Sequence, residues 1–352
     1  MKPDGRQASK RGFARKKDAA DYLATVDVGI GGGTYIDPRN GRTPLGELGA
    51  TWIQDQRAVL KPSTYHSVES SWRIHVEPRW SKKHIEDIQH SDVRRWVAEL
   101  ATVYSATTVI RAHGVLANIL EIAVRDKLIP TNNARNVPLP RKGHEARVYL
   151  THAQVDALAE QARYPDLVLT LAYTGLRWGE ASALRVRNID TAKRRLRVEQ
   201  NAVTVNGKIR VGTPKTHVSR TVPYPAFLDE YFQHTKATRS PDALVFGDGV
   251  EHLRLPNSKD GWFAAAVRRC QRADPTFPRL TPHDLWHTVA SLAVSAGANV
   301  KAVQRMLGHA SAVMTLDTYA DLFDDDLDGV STALDVARST SRSRDDGNSG
   351  EH

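Results

Sequence analysis

Residues 189–223, IDTAKRRLRVEQNAVTVNGKIRVGTPKTHVSRTVP, decide the fold class, because here the apolar period shortens to two. Leu196-Arg197-Val198-Glu199 and Thr221-Val222-Pro223 lie around Asn206-Gly207, a dipeptide suited to a hairpin turn that needs positive φ. The stretch predicts a small antiparallel sheet. Outward from it the period lengthens to that of a helix. Leu116, Ile119, Leu120, Ala123 and Val124 follow i, i+3, i+4, i+7, i+8 spacing, a one-sided apolar stripe on a helix of about 20 residues. Trp52, Ile53 and Leu60 mark a further helix, Trp72, Ile74 and Val76 another, and Val93, Trp96, Val97 and Leu100 a third. The expected fold class is mainly α with a small antiparallel β-sheet: a helical bundle followed by an α+β domain.

A chain of 352 residues has room for two or three domains. Residues 1–43 form a short basic segment, with a helical pattern from Phe13 to Leu23 and a glycine-rich turn from Gly29 to Gly33. Residues 44–130 carry the helical stripes, and 131–148 read as a basic linker around Pro138 and Pro140. Residues 149–330 make the second domain, opened by a capping box at Thr151-His152-Ala153-Gln154. The Ser/Arg/Asp-rich tail, 331–352, is expected to be disordered. A single cysteine, Cys270, cannot form an internal disulfide and reads as a small buried side chain. No apolar run approaches a bilayer span and the N-terminus shows no hydrophobic leader, so a cytoplasmic protein is expected.

Lys plus Arg number 49 against 40 Asp plus Glu, a net charge of +9. The excess is localised: basic residues crowd 1–17 and 185–220, whereas Asp321, Asp324, Asp325, Asp326 and Asp328 form an acidic patch. Localised positive charge points to a polyanionic partner such as DNA.

Thr174-Gly175-Leu176-Arg177-Trp178-Gly179-Glu180 opens a helix after a tight glycine turn, placing a guanidinium at a helix N-terminus, where anions are favoured. By itself such an arginine reads equally well as a solvated surface residue. Downstream stand His283-Asp284-Leu285-Trp286-His287, then Leu307-Gly308-His309, then Tyr319. His283 and His287 share i, i+4 spacing, but Asp284 replaces the glutamate of a zinc protease helix and no third ligand is suitably spaced. Asp324, Asp326 and Asp328 imitate the start of a calcium loop without a flanking helix pair, and Gly31-Gly32-Gly33 lacks the Gly-Lys-Ser/Thr of a phosphate loop. No metal and no nucleotide cofactor are expected.

Taken in order, these segments resemble the tyrosine recombinases, and among them the integrases of temperate phages, most closely those of mycobacteriophages. The resemblance covers residues 45–330 and is densest from Thr174 to Leu322. It implies a helical core-binding (SAM-like) domain at 44–130 and a tyrosine-recombinase catalytic domain at 149–330. It also implies an arm-type DNA-binding role for 1–43, with part of that module expected to be missing. The family's T-G-L-R-x-G-E is matched at Arg177, with Glu180 in the acidic position. Its hairpin lysine corresponds to Lys215 in Thr213-Pro214-Lys215-Thr216, although Lys208 lies on the same hairpin. The H-x-L-R-H box is matched at His283, Leu285 and His287, the L-G-H box at His309, and the nucleophile of T-L-D-T-Y at Tyr319.

Attack on a phosphodiester builds negative charge on its non-bridging oxygens, so the site needs cations there, a nucleophile in line and an acid for the departing oxygen. The resemblance implies Tyr319 as that nucleophile, Arg177, His283 and His309 on the scissile phosphate, and Lys215 as the acid. One position departs: Trp286 stands where the family has its second arginine. Indole offers one neutral donor and cannot supply the charged fork of a guanidinium, so impaired cleavage is expected unless another cation, Arg305 being the rival, fills the gap.

Double-stranded attachment-site DNA is the implied partner, bound by a homotetramer with a host DNA-bending factor and an excision-directing protein, in the bacterial host cytoplasm and away from any membrane. Arg135, Arg141, Lys142 and Arg147 are the expected backbone contacts. Two readings stay open. One is a recombinase that joins phage and bacterial attachment sites through a 3′-phosphotyrosyl intermediate. The other is an integrase-like protein that binds such sites without cutting. A helical transcription regulator, a third class, leaves the ordered set from Arg177 to Tyr319 unexplained.

Overall fold

In the computed structural model the described residues are 12–143 and 147–308, apart from 33, 34, 38 and 214–218, with isolated positions beyond 310. Lys215, His309, Tyr319, the acidic patch and almost all of the tail from 331 lie outside them. The chain divides into two compact units between residues 144 and 145.

The first unit is helical: α1 (Lys16–Gly31), α2 (Leu45–Val59), α3 (Pro62–Ser71), α4 (Glu77–Trp80), α5 (His90–Ala101) and α6 (Ala106–Arg125). Helix α1 runs through Gly29 and Gly31, two of the glycines read as a turn. Gly32 still donates to Val28, since glycine weakens a helix by only about 1 kcal/mol and does not forbid one. Between α3 and α4 the helix widens into a π segment, Trp72–Val76, which buries Trp72 and Val76 and leaves Ile74 facing out. Helix α6 is capped by Ser105, whose hydroxyl accepts from the Thr108 N–H, and it buries Leu116, Ile119, Leu120 and Ala123 as its stripe predicts. It is also long and apolar enough to match a bilayer span, which the reading of apolar runs missed. Here it is the central helix of a core that includes Trp52, Trp80 and Trp96.

Within the basic linker, residues 131–137 are packed onto the helices of the first unit. Asn132 donates to the Ala117 carbonyl and to Glu121, Asn133 donates to the Ile88 carbonyl, and Ala134 and Val137 are buried. The stretch has no apolar period because its side-chain amides, rather than a repeating stripe, tie it to the helices.

The first helix of the second unit begins at the predicted capping box, where Thr151 and Gln154 each bond the other's backbone. Helices α7 (His152–Gln161), α8 (Pro165–Thr174) and α9 (Trp178–Ser182) lead into the strands β1 (Ile189–Asp190), β2 (Arg195–Val198), β3 (Asn201–Val205), β4 (Lys208–Gly212) and β5 (Arg220–Pro223). Helices α10 (Asp229–Thr238), α11 (Trp262–Ala273), α12 (Asp284–Ser295) and α13 (Val300–Leu307) follow. The one predicted sheet is two: a three-stranded sheet in the order β1-β2-β5 and a separate hairpin, β3-β4. Asn206 and Gly207 turn that hairpin with φ of 51° and 72°. In the larger sheet Leu196 pairs with Val222 and Arg197 with Thr221, so Leu196, Val198 and Val222 enter the core. Cys270 is buried on α11.

Candidate active site

The chain from Thr174 to Glu180 is shaped by its two glycines. Gly175 ends α8 in the left-handed region, φ 66°, and a Cβ there would also stand 2.9 Å from Leu307 Cδ2. Gly179 lies under β3, where a Cβ would come 2.3 Å from Asn201 Oδ1 and 2.5 Å from the Ala202 carbonyl oxygen. Between them Leu176 is fully buried and Arg177 caps α9. The turn and the packed hairpin together fix where the Arg177 side chain leaves the backbone.

Glu180 then anchors it. The residue is 2% exposed, and its carboxylate accepts four bonds. Oε2 takes the Arg177 backbone N–H at 2.9 Å and Arg220 Nη2 at 2.7 Å. Oε1 takes Arg220 Nη1 at 2.8 Å and Arg177 Nη1 at 3.3 Å. Burial pushes the Glu180 carboxyl up, but the Arg220 bonds and the charges of both arginines outweigh it and hold the carboxyl below its ordinary value. Every lone pair of the carboxylate is engaged, the condition under which a buried charge is tolerated.

Helix α12 brings the second segment to the first. Asp284 accepts from the Thr281 N–H at 2.7 Å and its hydroxyl at 2.8 Å, closing the turn that sets His283 at the head of the helix. The His283 and Trp286 rings lie parallel, 7° apart with centroids at 5.5 Å. The Arg177 guanidinium also sits over the indole, 5.0 Å from the Trp286 centroid. Trp286 is 7% exposed and packs with Val289, Ala290, Val303 and Leu307, a small core shared by α12 and α13. Indole at this position is thus an apolar wall and a platform for Arg177, and it adds no charge.

Of the six expected active-site positions the structure brings Arg177, His283 and Trp286 into one stack, while Lys215, His309 and Tyr319 lie outside the described residues. Arg135 belongs to the first unit, where its guanidinium pairs with Glu121 at 2.8 Å; Arg141 and Lys142 are exposed at that unit's end, and Arg147 opens the second. Arg305 is exposed on α13. Among the described residues a further cation beside Arg177 is Arg220, which shares the Glu180 carboxylate with it and which the sequence reading did not single out. One signal pointed to it: strand alternation puts Arg220 on the same face as Val222, and an inward arginine requires a buried counter-ion.

Residues 148–325 match the model of the phage integrase family, and residues 45–101 match that of the phage integrase N-terminal SAM-like domain. The chain belongs to the phage integrase family, the tyrosine-type recombinases that cleave and rejoin DNA at specific sites. A similar relative is a putative prophage phiRv2 integrase of Mycobacterium tuberculosis, 29% identical over 88% of this chain and 84% of its own length. The ICEBs1 integrase of Bacillus subtilis is 27% identical over 75% of each. The fold matches that of a Tn1549 transposon integrase solved with transposon right end DNA, at a TM-score of 0.71 and 23% identity over 83% of this chain and 99% of that one. A lambda integrase tetramer on a Holliday junction superposes at 0.56 and 17% identity, over 85% and 88%.

Proposed function

We propose that the chain joins an attachment site on phage DNA to one on a bacterial chromosome, working as a homotetramer in the host cytoplasm. The stack of Arg177 on Trp286 on His283 supports this reading best, because it gathers a cation and an imidazole from distant segments at two helix starts. The Tyr319 hydroxyl gives up its proton to water as its oxygen attacks the scissile phosphorus, forming a 3′-phosphotyrosyl bond as the bond to the 5′-oxygen breaks. Lys215 gives its proton to that oxygen. Arg177, His283 and His309 carry the charge that develops on the phosphate oxygens. Because the covalent link conserves the energy of the broken bond, a second 5′-hydroxyl reseals the strand by reverse attack without a nucleotide. Arg135, Arg141, Lys142 and Arg147 neutralise backbone phosphates, the segment 1–43 contacts arm-type DNA, and a host bending protein and an excision-directing protein set the outcome.

Trapping on a nicked suicide duplex of the attachment core tests this. The wild type is expected to form a covalent adduct that Tyr319→Phe abolishes; binding without an adduct would favour the second reading, a protein that occupies attachment sites without cutting. Trp286 is the observation behind that alternative. Restoring the family's cation with Trp286→Arg is expected to raise the rate of adduct formation by about 10²–10³-fold, and no gain would remove the assigned defect.

A further inference from the structure

We propose that Arg220 is a positioning residue: by saturating the Glu180 carboxylate it keeps the Arg177 guanidinium available to the scissile phosphate, an inference that rests on the role given to Arg177 above. Strand β5 sends Arg220 inward beside Val222, and only 12% of its side chain remains exposed. Its guanidinium meets Glu180 fork to fork at 2.8 and 2.7 Å, whereas Arg177 holds the same carboxylate by one longer side-chain bond of 3.3 Å. The shorter, bidentate pair is the stronger, so Arg220 takes the main share of the carboxylate's charge. Without Arg220, a carboxylate closed to water would face Arg177 as its nearest cation. Attraction in so poorly solvated a place favours Arg177 folding back onto its own helix, where it is lost to a phosphate.

Arg220 also connects segments. Its Nε donates to the Met306 carbonyl at 3.1 Å, near the end of α13, where a cation meets the negative pole of the helix. A side chain on Gly308 would stand 3.2 Å from Arg220 Cδ. The residue that governs Glu180 thus also fastens the end of the helix that leads into His309, and it begins the strand that follows Lys215.

A set of variants on one attachment-core duplex tests the assignment: Arg220→Gln, Glu180→Gln, their combination, and Arg177→Gln in the wild-type and Arg220→Gln backgrounds. On the nicked duplex Arg220→Gln is expected to slow adduct formation by about 10²–10³-fold. Adding Glu180→Gln should recover at least about tenfold, because the neutral amide still accepts from the Arg177 N–H but no longer attracts the guanidinium. On the intact duplex Arg177→Gln should weaken binding by about tenfold in the wild-type background and by less than about twofold beside Arg220→Gln. A purely structural Arg220 would give no recovery in the combined variant and an unchanged cost for Arg177→Gln; either result overturns the proposal. Should Arg220→Gln fail to fold, Arg220→Lys, which keeps the charge but not the fork, is read the same way. A wild type that binds without forming an adduct counts against the recombinase reading alone, and the binding comparison then decides the role of Arg220.

Discussion

The core around Trp80 and Trp96 and the cluster around Glu180 are both closed to water, but they are closed by opposite means. In the first unit, Trp80 and Trp96 meet edge to face with centroids 5.7 Å apart, among Ile, Val and Leu side chains from several helices. Burial of apolar surface stabilises such a core whatever the detailed partners, which is why neighbouring hydrophobic side chains can substitute for one another there. Around Glu180 the partners are individual: four donors, two guanidiniums and one carboxylate. Losing any one leaves charge in a place that water cannot reach. A core of the first kind tolerates approximate matching, whereas the second requires each group in its place.

The contrast can be broken at either end. Trp80→Ala should cost about 3–5 kcal/mol, read by urea unfolding of the full chain; a loss below about 1 kcal/mol would deny the first unit its apolar keystone. Glu180→Ala should cost about 3 kcal/mol, because Arg220 is left buried without its counter-ion, and an unchanged unfolding midpoint would mean that water reaches the cluster after all. Gly175→Ala should cost about 1–2 kcal/mol from the left-handed backbone alone, with the Leu307 contact adding to it; the same measurement decides.

The smallest effect sharpens the comparison through pH. Because the native Glu180 carboxyl titrates below its ordinary value of 4.5, the unfolded chain binds the proton first as pH falls. The stability lost in Glu180→Gln should therefore be full above that value and shrink as pH drops through the lowered native one. A difference between wild type and Glu180→Gln that stays constant from neutral pH into that acid range would show that the ion pairs contribute nothing. Trp80→Ala should show no such dependence on this group.

The same contrast explains what could be read in advance. Helices α2, α5 and α6 announce themselves because burial repeats along them, and the Thr151 capping box and the Asn206-Gly207 turn are local chemistry. Arg177 and His283 were legible because each begins a helix within a recognisable segment. Arg220 was not, since its partners Glu180, Gly175 and Met306 come from two other segments and obey no period. The split of the strands into two sheets and the packing of 131–137 were missed for a related reason. Both depend on pairing and side-chain bonds to distant backbone, which alternation alone does not specify. Trp286 could be seen as a missing cation, but its service as a platform for Arg177 needed coordinates.

The two glycines of the Arg177 segment carry a last implication. Neither could accept a side chain without displacing Leu307 or strand β3, so both are dictated by neighbours inside the protein and not by the nucleic acid outside it. A descendant that had given up cutting altogether would still have to retain them in order to keep its shape. Their presence in a chain therefore certifies architecture, and competence has to be judged from the side chains that reach outward.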